Sequence, residues 1–239
     1  MFPLHKSYLV RNGGVFIITM KENKNKIIQG DCLEEMNNIP DGSIDMILTD
    51  PRYGMDYQSN RRTVQKKFSK FSNDKDLGWL DNFIEDCFRV LKDNTAIYMF
   101  CSWHNIDIFK QSLERHFKLK NIIVWEKNNH GSGDLKGAYA PKHEFVLYAH
   151  KGRSLFREKR IPDVMKFDKI HSSKLLHPTE KNIDMLSVFV KNNSDEGQTI
   201  LDPFAGSGTT GVACQNLNRN YILIEKEPEY IEIIKQRLL

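Results

Sequence analysis

The chain has 239 residues, of which 40% are hydrophobic and 28% charged, so it reads as one globular domain with a sizeable core rather than a disordered or fibrous chain. Its net charge of +4, with a pI near 8.7, is too mild to name a partner by itself. No apolar run approaches the roughly 20 residues of a membrane span. Cys32, Cys87, Cys101 and Cys214 form no CxxC pair and the eight histidines lack a spacing such as HExxH, which argues against a zinc site and fits reduced thiols in a cytosol.

At the N-terminus, "GGVFIITM" is too short for a secretory core and runs straight into "KENKNK". Residues 1–19 therefore read as an arm, or as the product of an early start codon, ahead of a compact domain beginning at Met20. From there short apolar runs alternate with helix-period segments. Strands are expected near residues 26–29, 44–48, 96–100, 121–125, 145–149, 199–201 and 221–224. Helices are expected near 33–38, 77–91, 105–117, 180–191, 209–216 and 228–238. The clearest is "LGWLDNFIEDCFRVL", which sets Leu77, Leu80, Ile84, Cys87, Phe88 and Leu91 on one face. Such alternation predicts a mostly parallel sheet with helices on both faces, and ligands then bind beyond the C-terminal ends of the strands.

Two segments break the alternation. Between Met55 and Lys75 lie six Lys or Arg against two Asp, and between Lys151 and Leu176 eight basic residues against three acidic ones. Both are long for connections in a compact α/β domain, which favours a functional reading over plain solvated loops.

Near the C-terminus, "TILDPFAGSGTTGVACQNLNRNYILIE" reads as strand, glycine turn, helix and strand. Gly206, Gly208 and Gly211 spell GxGxxG, and Glu225 follows Gly206 by 19 residues, where an acid can bind ribose hydroxyls. This pattern also supports an NAD-dependent oxidoreductase. However, a dinucleotide domain opens with this unit, and here only about a dozen residues follow Glu225. Asp202, ahead of the glycines, suits an amine-bearing or cationic ligand better than a pyrophosphate, and S-adenosylmethionine carries no phosphate.

Six blocks in order, "GDC" at 30–32, "DPRY" at 50–53, "IIVWEKNN" at 122–129, "HEFVLYAHKG" at 143–152, "HPTEKN" at 177–182 and "LDPFAGSGTT" at 201–210, resemble the circularly permuted beta group of DNA amino-methyltransferases. The likeness covers roughly residues 26 to 236. It implies a Rossmann-like methyltransferase fold with a seven-stranded sheet, S-adenosylmethionine as cofactor, no metal, DNA as partner, and pairing into homodimers as in many relatives. It further implies a cytoplasmic enzyme of prokaryotic or phage type.

Carried over by residue, the resemblance implies that Asp202, Phe204, Ala205 and Gly206 surround the methionine portion of the cofactor, with Ser207, Gly208 and Asp50 also in the cofactor set. Glu225 would take the ribose, Asp31 and Cys32 the adenine ring, and His177, Thr179 and Lys181 would close over the methionine carboxylate. Asp50, Pro51 and Tyr53 would hold the target base. The Asp50 carboxylate and Pro51 carbonyl accept hydrogen bonds from the exocyclic amine, draw its nitrogen toward tetrahedral geometry and free its lone pair for in-line attack. Tyr53 would stack on the extracted base, worth roughly 1–3 kcal/mol, against a flipping cost of a few kcal/mol.

Arg61, Arg62, Lys66 and Lys67 follow the catalytic turn and are expected on DNA phosphates. Arg153, Arg157, Lys159 and Arg160 lie in a short target-recognition position at about 152–176. Asp50 favours adenine N6 as the methyl acceptor, since N4-cytosine relatives usually carry Ser there; cytosine N4 is the alternative. Arg52 departs from the family, which usually has a second proline at that position, and is expected to point outward to phosphate or to pair with a nearby acid.

Overall fold

The structure is a computed structural model that describes residues 6–11, 14–19, 25–52, 77–131, 134–170, 176–177 and 180–239. The strands are β1 (Lys6–Arg11), β2 (Gly14–Thr19), β3 (Lys26–Gln29), β4 (Ile44–Thr49), β5 (Leu91–Cys101), β6 (Lys118–Glu126), β7 (His143–Lys151), β8 (Val164–Lys166), β9 (Thr199–Asp202) and β10 (Asn220–Glu225). The helices are α1 (Cys32–Glu35), extended by a 3-10 turn at Met36–Asn38, then α2 (Leu80–Val90), α3 (Ile106–Glu114), α4 (Ile183–Asn193), α5 (Thr209–Asn216) and α6 (Pro228–Leu238). No described helix is long and apolar enough to cross a membrane.

β1 and β2 pair as a separate antiparallel hairpin within the expected arm. The remaining strands form an eight-stranded sheet in the order β3-β10-β9-β4-β5-β7-β6-β8. From β3 through β5 every neighbour is parallel, whereas β7 runs antiparallel to both β5 and β6. All seven expected strands are present. The eighth, β8, adds three residues in parallel to the edge of β6 inside the segment that sequence periodicity left unassigned.

Side-chain alternation divides the core into two layers. Met46, Leu48, Tyr98, Phe100 and Tyr148 pack with Met185, Phe189, Cys214 and Ile234 of α4, α5 and α6 on one face. Ile47, Ile97, Met99, Cys101 and Leu147 pack with Phe83, Cys87, Phe109 and Leu113 of α2 and α3 on the other. Phe83, Phe109 and Phe189 are wholly buried, each contributing about 1.5–3 kcal/mol of hydrophobic stabilisation. Trp125 is buried and donates its indole N–H to the Phe167 carbonyl at 2.7 Å, which ties β6 to the chain after β8.

Local chemistry sets several boundaries. The Asp31 carboxylate accepts from the Leu33 N–H at 3.1 Å at the start of α1, and Asn182 caps α4 through the Met185 N–H, also at 3.1 Å. α5 follows Gly208 at φ 79, and α6 opens on Pro228. α2 starts three residues later than its apolar stripe suggested, because Gly78 and Trp79 form a turn, and its last apolar residue, Leu91, already begins β5.

Candidate active site

Because β10, β9, β4 and β5 are parallel neighbours, their C-terminal ends line one edge of the sheet. β4 delivers Asp50, Pro51 and Arg52 there, β9 ends in Asp202 and β10 in Glu225. The turn after β9 then folds back over this edge. Asp202 is buried and accepts the Thr210 hydroxyl at 2.5 Å and the Phe204 N–H at 3.1 Å. Phe204 packs its ring against Phe83 and Trp79, while Ala205 and Ser207 are buried in the turn. Gly206 adopts φ 53, a left-handed conformation natural to glycine, and an added Cβ would touch the His177 ring at 3.4 Å. Its N–H donates to Glu225 at 2.8 Å; the other Glu225 oxygen accepts the Glu227 N–H at 2.8 Å.

Burial pushes the Asp202 carboxyl up to about 7 against its two hydrogen bonds, with the charges of Asp50 and Glu225 adding to the rise. Burial likewise raises Glu225, opposed by the backbone N–H groups it accepts. Asp31 stands at the next strand end, beyond β3, and is paired with Lys226 at 3.0 Å. Its slight burial is outweighed by that lysine and the Leu33 N–H, so its carboxyl lies below its ordinary value; the Arg52 charge contributes in the same direction. Cys32 is buried beneath it, and burial pushes its thiol up to about 12. The Arg52 charge also acts on Cys32 in the lowering direction, against the burial of that thiol.

The "HPTEKN" segment crosses the same edge. His177 meets Tyr230 of α6 edge-on at 4.3 Å, and burial followed by the Lys181 charge pushes its imidazole down to about 4, leaving it neutral at pH 7. Glu180 is buried and ion-paired with Arg237 at 2.9 Å. The same guanidinium donates to the Ser207 carbonyl at 2.8 Å and to its hydroxyl at 3.0 Å, so α6 fastens this segment to the glycine turn.

Lys181 departs from its expected place. Its ammonium is buried and reaches Asp50 at 2.7 Å and Glu144 at 3.0 Å, above the Phe100 ring at 4.8 Å. Glu144, on β7, also accepts Lys127. Burial opposes the charge on both partners. The two ammoniums nevertheless bring Glu144 down to about 2, and the two carboxylates hold Lys181 above its ordinary value. The structure thus places the Lys181 ammonium on Asp50 and Glu144, where the resemblance implied the cofactor carboxylate.

The donor set also discriminates between cofactors. Among the described residues, Asp31, Asp202 and Glu225 are the carboxylates around the glycine turn, and two of the cations near them, Lys226 and Arg237, are already paired. A pyrophosphate would meet carboxylates here, whereas a phosphate-free ligand with an ammonium and ribose hydroxyls finds acceptors. The residues present therefore fit S-adenosylmethionine better than NAD.

The basic residues separate by position. Since β7 is antiparallel, the chain leaving it emerges at the edge opposite Asp50: the Arg153 N–H bonds Asn94 near the start of β5, and Arg157 pairs with Asp195 ahead of β9 at 3.1 Å. The structure does not bring Arg153 and Arg157 to the Asp50 rim, and Lys159 and Arg160 are exposed on the stretch that climbs from there toward β8. Among the described residues, Lys142 and Lys166 also reach this edge, both paired with Glu126 at the end of β6. Tyr53, Arg61, Arg62, Lys66, Lys67 and Thr179 lie outside the described residues.

Sequence reasoning missed Glu144, Glu180, Arg237 and Lys127. The available signal was a carboxylate set inside or beside apolar runs, as in "HEFVLY", where an acid entering a buried strand needs a cation.

A family model described as a DNA methylase (N6_N4_Mtase) matches residues 44–236. Type II methyltransferase M2.MboI of Moraxella bovis is 33% identical, over 90% of this chain and 88% of its own length. Type II methyltransferase M.HinfI of Haemophilus influenzae is 31% identical over 92% and 70% respectively. Among solved structures, the M1.HpyAVI–SAM complex superposes with a TM-score of 0.68 at 27% identity, covering 90% of this chain and 99% of that one. The cytosine-N4-specific PvuII DNA methyltransferase reaches 0.73 at 17% identity over 92% and 89%, a likeness of fold alone.

Proposed function

This chain belongs to the DNA methylase family, and from that premise we propose that it transfers a methyl group from S-adenosylmethionine to the N6 amino group of adenine in DNA. The observation that carries the reading is a juxtaposition: the Asp50 turn and the Asp202–Gly208 turn leave adjacent strands, β4 and β9, at one edge of the sheet. A nucleophile held by the first would meet a ligand held by the second.

When bound, S-adenosylmethionine supplies an electrophilic sulfonium methyl group. Asp202 and the backbone of the glycine turn would hold its amino-acid end, Glu225 its ribose, and Asp31 with the buried Cys32 backbone its adenine. The Asp50 carboxylate and Pro51 carbonyl accept the two N–H groups of the target amine, which localises the lone pair otherwise delocalised into the ring. Tyr53 supplies a stacking face for a base rotated out of the duplex. The neutral His177 ring lies against Gly206 of the glycine turn.

The M1.HpyAVI–SAM complex, at 27% identity, supports the choice of cofactor, and Asp at position 50 supports adenine over cytosine. Lys142 and Lys166 are suited to phosphates beside the rim. Residues 20–239 would form the catalytic domain, with the basic stretch at 55–75 closing over DNA and the segment at about 152–176 aiding site recognition. A homodimer in the cytoplasm of a prokaryote, as part of a restriction-modification system, completes the reading.

The test is methylation of mixed-sequence duplex DNA followed by nucleoside mass spectrometry. N6-methyladenine is expected, and Asp50→Ala should abolish it while S-adenosylhomocysteine still binds. N4-methylcytosine without N6-methyladenine would overturn the adenine assignment.

A further inference from the structure

Four charged side chains from four parts of the fold form a line of alternating sign leading away from the catalytic turn. Asp50 follows β4, Lys181 precedes α4, Glu144 lies on β7 and Lys127 follows β6. Lys181 stands between the two carboxylates at 2.7 and 3.0 Å, with only 7% of its side chain exposed. We propose that Lys181 is a positioning residue for methyl transfer, holding the Asp50 carboxylate ionised and fixed in rotation toward the substrate amine, with Glu144 as the anchor that holds Lys181.

The need for such a residue follows from the surroundings of Asp50. Its charge is felt at Asp202 on the adjacent strand and at the Cys101 thiol at the end of β5, so an acid and a buried neutral group face it. Glu144 lies across Lys181, with Lys127 beyond it, and Arg52 lies two residues after Asp50 in the chain. His177, the other titratable group close to Lys181, is neutral at pH 7. Low polarity and a neighbouring carboxyl both disfavour an ionised Asp50, and a protonated carboxyl is a weaker acceptor for an amine N–H. An ammonium bonded to one carboxylate oxygen offsets both effects and sets the plane of the group. Lys181 itself has too little room to leave: Phe100 lies beneath it and Glu144 behind it. Breaking such a line by removing one member leaves a buried uncompensated charge, so its geometry is stiff.

The proposal rests on the methyltransferase reading, and the experiment separates the two. Full-length wild type, K181M, K181R and E144Q are compared for kcat across roughly pH 5 to 8.5 on adenine-containing duplex DNA with saturating S-adenosylmethionine. Calorimetric binding of S-adenosylhomocysteine and Tm are measured on each. An opposite charge at this range favours the ionised carboxylate by about 1–3 pH units. K181M should therefore acquire an acid limb displaced upward by about that much, with kcat falling about tenfold per pH unit below it. K181R keeps the charge and should retain the wild-type profile at reduced kcat. E144Q loosens the anchor of Lys181 and should lower kcat, with any upward displacement of the limb smaller than in K181M. A K181M profile parallel to wild type, or a loss equal at every pH, would overturn the proposal. If K181M does not fold, a K181R profile that differs from wild type in shape, or an E144Q kcat equal to wild type at every pH, would overturn it instead. Wild type that binds S-adenosylhomocysteine yet methylates neither adenine nor cytosine would remove the parent reading, and the proposal with it.

Discussion

Replacing Asp202 with Asn separates the cost of a buried carboxylate from its use. The residue is 4% exposed, and its carboxyl is pushed up to about 7 from an ordinary 3.8 by burial. The sign is that of a raised acid: stability is full below 3.8, where folded and unfolded states are both protonated, and is lost as pH rises toward 7, because only the unfolded state has released its proton. A shift of about three units corresponds to at most about 4 kcal/mol, at 1.36 kcal/mol per unit. His177 and His150, both pushed down to about 4 by burial, contribute the opposite slope over much of the same range, so wild type alone does not isolate Asp202. The difference between variant and wild type does. Asn keeps one carbonyl acceptor for Thr210 or Phe204, and its stability relative to wild type should rise by about 2–4 kcal/mol between pH 4 and 8, read by urea unfolding at each pH. Binding of S-adenosylmethionine should weaken by about 10- to 100-fold, because a charge-assisted hydrogen bond is lost. Parallel stability curves for the two proteins would refute the account of Asp202.

Gly206→Ala should cost about 1–2 kcal/mol, because the residue is held at φ 53, and a urea midpoint equal to wild type would show that the turn relaxes freely. Arg237→Ala strands Glu180, whose side chain is 4% exposed, and should destabilise by about 3–5 kcal/mol. E180Q combined with R237A should recover part of that loss, and equal midpoints for the single and double variants would argue against a stranded charge. Arg52→Pro removes a cation near Asp31 but none of the groups placed on the substrate, so methylation should persist in a radiolabel transfer assay. A rise from no activity to full activity would instead show that Arg52 impairs the natural protein.

The central strands were legible because each is a short apolar run entering or leaving a recognisable turn, and the two faces of the sheet follow from simple alternation. β8 was not, since three residues with Met165 alone buried make a strand only when β6 offers its edge. The direction of β7 was hidden for the same reason: an apolar run does not state whether its neighbours are parallel, and the expected placement of Arg153 and Arg157 turned on that direction. The glycine turn and its carboxylates were visible as spacing. The partnership of Lys181 with Asp50 and Glu144 was not, because it joins residues distant in sequence that only the closed sheet brings together.

The pairing of β3 with β10 has a consequence for synthesis. The strand translated first in the main sheet can find its neighbour only when nearly the whole chain has left the ribosome, and Asp31 meets Lys226 across 195 residues. A nascent chain therefore carries β3 as an unsatisfied ribbon, and α1 has no β10 to rest on, while the middle strands are already able to assemble. Contacts of such separation fold slowly and leave edges open to wrong partners in the meantime. Until Glu225 emerges, an unfinished polypeptide holds the Asp50 turn without the carboxylate that closes onto Gly206.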